Sequence, residues 1–75
     1  MARLPRLTGR EILRALVQGG YDLIHVRGSH HYLRKRGVLG LVPVHGGRVL
    51  PAGTFRSILR RARISPDEFT ELYQR

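Results

Sequence analysis

Arg27-Gly28-Ser29-His30-His31-Tyr32-Leu33 joins a glycine turn to two adjacent histidines and an aromatic, and the basic run Arg34-Lys35-Arg36 follows at once. Arg27-Gly28 suits a two-residue hairpin turn, with Gly28 where a positive φ is needed. On one side of it, Tyr21 to Val26 is rich in β-branched and aromatic residues. On the other, Ser29 to Arg36 runs back as a second strand, closed by Gly37. A turn at Arg27-Gly28 pairs Val26 with Ser29, His25 with His30 and Leu23 with Tyr32. Alternation then puts His30, Tyr32, Arg34 and Arg36 on one sheet face, and His31 with Leu33 on the other.

Working outward, Leu39 to Val44 supplies a third strand. Pro43 has no N–H for a ladder, so this strand is expected at an edge or broken there. His45-Gly46-Gly47-Arg48 reads as a loop. Upstream, Thr8-Gly9-Arg10-Glu11 has the spacing of a capping box and starts a helix. Ile12, Leu13, Leu16 and Val17 form its apolar stripe, and Gly19-Gly20 ends it. Residues 1–7, with Pro5, read as a flexible basic arm. Downstream, Thr54 to about Arg63 is a second helix that buries Phe55, Ile58, Leu59 and Ala62. Its arginines 56, 60, 61 and 63 extend a basic surface. Ser65-Pro66-Asp67-Glu68 opens a short last helix, with Phe69, Leu72 and Tyr73 inward. The fold class is therefore α+β, in one domain over residues 1–75. Helix, three-stranded antiparallel meander, helix and short helix follow in order. This is the sandwich of the double-stranded-RNA-binding (dsRBD) type, with the helices on one sheet face and the other face open.

The charge narrows the partner. Fourteen Lys and Arg against five acids give +9, and thirteen of the fourteen are arginine. Guanidinium groups fork onto phosphate oxygens, so a polyanion is favoured, nucleic acid first and an acidic protein second. With no cysteine there is neither a disulfide framework nor a thiolate metal site. No apolar run reaches bilayer length, and the N-terminus lacks a signal-peptide core, which points to a soluble cytoplasmic protein. Adjacent imidazoles in so basic a chain suggest proton transfer at a phosphate. His25, His30, His31 and His45 have no suitably spaced carboxylate and make a poor metal set.

Four segments carry a more specific signal: Gly28-Ser29-His30-His31, Val42-Pro43-Val44-His45-Gly46, Gly53-Thr54-Phe55-Arg56-Ser57-Ile58-Leu59 and Ile64-Ser65-Pro66-Asp67-Glu68-Phe69. In this order they closely resemble the HicA toxins of bacterial and archaeal HicAB toxin–antitoxin systems. The resemblance implies a dsRBD-like fold and an mRNA interferase that cleaves RNA without a cofactor. It places the catalytic histidine at His30, in the Gly-Ser-His segment, with His31 as runner-up because some members carry it one position later. It also implies a HicB-like antitoxin that covers this histidine, and the free chain is expected to be a monomer. His25, opposite His30 in the expected register, is a candidate assistant acid. Candidate RNA contacts are Arg27, Ser29, Tyr32, Arg34, Lys35, Arg36 and His45. Several of these have a plainer reading: Tyr32 packs across the strands, Ser29 orients the turn and His45 is solvated surface. A non-catalytic RNA-binding module is the main rival function, and a docking domain for an acidic protein the other.

Overall fold

Thr8 starts the first helix as its sequence implies. In the computed structural model, which describes residues 4–75, its hydroxyl accepts the Glu11 N–H at 3.2 Å and the Glu11 carboxylate accepts the Thr8 N–H at 2.9 Å. The elements that follow are α1 (Gly9–Gln18), β1 (Asp22–Arg27), β2 (His30–Lys35), β3 (Val38–Pro43), α2 (Ala52–Ala62) and α3 (Pro66–Gln74). The strands form one antiparallel sheet in the order β1-β2-β3. This is the expected α+β, dsRBD-like arrangement, and Pro43 does end an edge strand. Ser65 and Glu68 repeat the capping box at α3, with Pro66 at its first position.

The core lies between the helices and one face of the sheet. Ile12 and Leu16 of α1, Leu33 of β2, Val42 of β3, Phe55 and Leu59 of α2, and Phe69 of α3 are all fully buried. Phe55 and Phe69 meet edge to face, with ring centroids 5.0 Å apart. The α1 stripe is rotated from the expected one. Ala15 is buried and Val17 is 46% exposed, because Gly9 lets the start of the helix seat against β3. A Cβ at Gly9 would collide with the Pro43 carbonyl oxygen. α2 begins two residues earlier than its apolar stripe suggests, since Pro51 supplies a ready N-cap geometry. Tyr73 is also more open than expected, at 40% exposure, at the end of the chain's last helix.

The N-terminal arm is a second departure. Residues 1–3 lie outside the described residues, but Leu4 packs against the core and Leu7 is buried. The Leu50 N–H donates to the Leu7 carbonyl at 2.9 Å, and Thr8 bridges Val49. Residues 4–7 are thus tied to the segment before α2, which gives the two apolar side chains a place to bury.

Tyr21 locks α2 to the start of the sheet. It is buried, and its hydroxyl donates to the Ala62 carbonyl at 2.7 Å. Burial first, and the Glu68 charge second, raise this phenol above the usual tyrosine range. The folded chain holds the proton more tightly than the unfolded chain. Its contribution is therefore complete below about pH 10, the ordinary tyrosine value, and is lost as pH rises through the higher folded value. Tyr21→Phe should cost about 1 kcal/mol at neutral pH and flatten this alkaline loss. Denaturant titrations across the alkaline range check it; an unchanged alkaline slope would refute the assignment.

Candidate functional site

The hairpin turn is Gly28-Ser29, not Arg27-Gly28. Gly28 has φ 59° at the first central position, where a Gly-X turn needs it. Arg27 therefore belongs to β1 and pairs directly with His30, while Val26 pairs with His31. The same register puts His25 opposite Tyr32, and a bulge between Leu23 and His25 then shifts it so that Leu23 faces Leu33. The expected His25–His30 pairing is corrected accordingly. His25 is a diagonal neighbour of His30, and its ring lies 5.7 Å from the Tyr32 ring, tilted by 38°. Tyr32 does pack across the strands, but on His25 rather than Leu23.

Leu33 is fully buried against the helices, so its alternating neighbours His30, Tyr32 and Arg34 lie on the open face. Cross-strand partners add Arg27, His25 and Asp22 from β1, and Pro43, Leu41 and Leu39 from β3. His30 and Arg34 are exposed, and Tyr32 is half-buried. A nine-residue patch results, with an imidazole and a guanidinium side by side at one end.

His31 points to the other face and is half-buried. Its Nδ1 lies 3.1 Å from the Ser29 carbonyl oxygen, which holds the ring in place. With the proton on Nδ1, that nitrogen donates and Nε2 keeps its lone pair. The same Ser29 carbonyl accepts the Val44 N–H at 2.8 Å. Ser29 thus anchors this end through its main chain, and the bond brings the His45 loop to the end of the sheet where His30 sits.

Lys35 is not on the open face. Its ammonium donates to the Gly19 carbonyl at 2.7 Å and lies 5.2 Å from the centre of the Tyr21 ring. It holds the end of α1 to the sheet, a structural task that takes it off the open face. Arg36 lies in the β2–β3 turn rather than in a strand. Among the described residues no three His, Asp or Glu side chains converge as metal ligands. No helix among them is long and apolar enough to cross a membrane.

The family model described as HicA toxin of bacterial toxin-antitoxin matches residues 9–64. The chain belongs to the HicA toxin family. No curated protein matches it. HicA membership makes the chain a toxin of a toxin–antitoxin system, with an antitoxin as the implied protein partner. The matched span of this HicA toxin runs from α1 to just beyond α2 and contains every candidate site residue. α3, with the buried Phe69, lies outside it.

The expected register missed the Arg27–His30 pair. The signal was present, because Gly-Ser is a Gly-X turn with glycine at its first central position. Nothing local signalled the bulge.

Proposed function

We propose that this HicA toxin is an endoribonuclease, an mRNA interferase working in the cytoplasm and monomeric when free. Neutral His30 takes the proton of a ribose 2′-hydroxyl. The 2′ oxygen attacks the adjacent phosphorus and the bond to the 5′ oxygen breaks. The products are a 2′,3′-cyclic phosphate and a 5′-hydroxyl, the leaving oxygen being protonated by the imidazolium or by water. Arg27 and Arg34 hold the phosphate chain and offset the charge that builds on its oxygens. Tyr32 offers a ring edge beside the strand, and His45 borders the same end. A HicB-like antitoxin seated over this face would close the site.

The observation that carries the reading is the pairing of exposed His30 with Arg27 on an open sheet face, in a chain of net charge +9 and HicA family. A second reading gives the base role to His31, because its Nδ1 contact with Ser29 leaves Nε2 ready to accept a proton. The test is a labelled single-stranded RNA incubated with the chain in EDTA, beside the same sequence with 2′-deoxy sugars. Cleavage of the RNA alone, ending in cyclic phosphate and stopped by the antitoxin, is expected. Equal cutting of the deoxy strand would overturn the mechanism. Binding without cutting would favour the non-catalytic RNA-binding module.

A further inference from the structure

A cleft of about 320 Å³ opens at the end of β2 remote from His30, lined by Arg36, Gly37, Val38, Leu39, Arg61 and Arg63. Three guanidinium groups and no carboxylate line it. Two of these arginines occupy backbone positions that ordinarily go to glycine or asparagine. Arg36 has φ 51° and precedes Gly37 at φ 80°, so both central residues of the β2–β3 turn are left-handed, the pattern that Asn-Gly usually fills. Arg63 ends α2 at φ 56° and ψ 44°, the place where helices commonly put glycine. An arginine in this region carries a steric cost that glycine avoids. Arg60 and Arg61, in the last turn of α2, offset the negative end of its dipole. That accounts for Arg61 in part and leaves Arg36 and Arg63 without a stabilising reason to be arginine. Two strained arginines converge on one acid-free cleft, and strain kept at a site points to a ligand.

We infer that the cleft is a second phosphate-binding site, which grips the RNA backbone several nucleotides away from His30. The inference rests on the ribonuclease reading above. Six residues of β2 separate the two ends, a span of about 20 Å at roughly 3.3 Å per residue. Arg34 lies on the open face between them, and its cross-strand partner Leu39 lines the cleft. Leu39 is 49% exposed and gives a base an apolar shelf. A strand laid along β2 thus meets Arg27 and His30, then Tyr32, then Arg34, then the three-arginine cleft. RNA long enough to reach both ends binds more tightly and with steeper salt dependence than RNA that reaches one.

The experiment uses a 2′-O-methyl tetranucleotide and a 2′-O-methyl dodecanucleotide, neither of which can be cut, with affinity read by fluorescence anisotropy at several salt concentrations. The wild-type chain should bind the longer strand at least about tenfold more tightly. The double variant Arg36→Gly, Arg63→Gly should lose that length advantage, and its salt slope should fall by about 1.4, two single-strand phosphate contacts at roughly 0.7 each. Its melting midpoint should stand no lower than wild type, since glycine suits both positions, which separates lost binding from lost folding. Arg61→Ala, where the backbone is ordinary helix, should show the same loss in smaller measure. Undiminished affinity and slope in the double variant would overturn the inference. So would a variant that binds RNA normally and loses only the antitoxin. Cleft-dependent binding of the long strand, with no cleavage of unmodified RNA by the wild type, would sink the ribonuclease reading and leave the cleft standing.

Discussion

His30→Ala should leave the chain folded and lower RNA cleavage by about 10²- to 10⁴-fold, the usual worth of a positioned general base. The same range is roughly 3 to 5 kcal/mol of lost transition-state stabilisation. Folding is safe because the side chain is exposed, and surface changes of this kind stay within about 0.5 kcal/mol. His31→Ala is the matched comparison. Its ring is half-buried and held on the Ser29 carbonyl, so it supports the turn and its loss should cost less than that of His30. Single-turnover cleavage by both variants, with circular dichroism as the folding check, separates them. An inactive His31→Ala beside an active His30→Ala would transfer the base role to the helix-facing histidine. Arg27→Ala then asks whether the cross-strand guanidinium acts on the phosphate, since its loss should appear in cleavage and in the salt dependence of binding together.

Phe69→Ala should be among the most damaging single changes to the fold. The ring is fully buried, meets Phe55 edge to face and lies 6.3 Å from the Tyr73 ring. Truncating a buried phenylalanine costs about 3 to 5 kcal/mol, through lost transfer free energy and the cavity left behind. At roughly 0.05 to 0.15 kcal/mol per residue, a chain of this length holds only about 4 to 11 kcal/mol in all. A large share of the molecules should therefore be unfolded at physiological temperature, with the denaturant midpoint far below wild type. Tyr73→Ala, at the partly exposed end of the same helix, should shift the midpoint much less. Equal midpoints for Phe69→Ala and wild type would show that α3 is not part of the cooperative core. The prediction matters for the family match, which ends at Ile64. A fragment ending there would keep every candidate site residue and lose the side chain that closes the core over α2.

Much of the architecture was open to reading because its signals are local. Thr8 with Glu11 and Ser65 with Glu68 mark two helix starts within four residues each, and both capping boxes form. Period-two and helical spacing separated the strands from the helices and marked Leu33, Phe55 and Phe69 as core. The four motif segments were enough to suggest the HicA family, which the match over residues 9–64 then established. His30 was marked as the leading histidine by the same reading, and its place on the open face followed from alternation against Leu33.

What tertiary structure decided lies between distant residues. The bulge near Ile24 sets which β1 side chains meet the far half of β2, and it puts Leu23 opposite Leu33 and Asp22 opposite Arg34. A bulge adds one residue to a ladder without any local mark, so only the pairing itself reveals it. Lys35 looks like one more cation in a basic run, yet it is spent on Gly19, sixteen residues away. Leu7 looks like part of an arm, and it is buried because Leu50 offers it a hydrogen bond and a core to join. Arg36 and Arg63 are distant in sequence and meet only because the β2–β3 turn comes to rest beside the end of α2. Caps and turns depend on a few neighbouring residues and can be read from them. Register, burial of a charged stem and convergence on a cleft depend on where the whole chain packs.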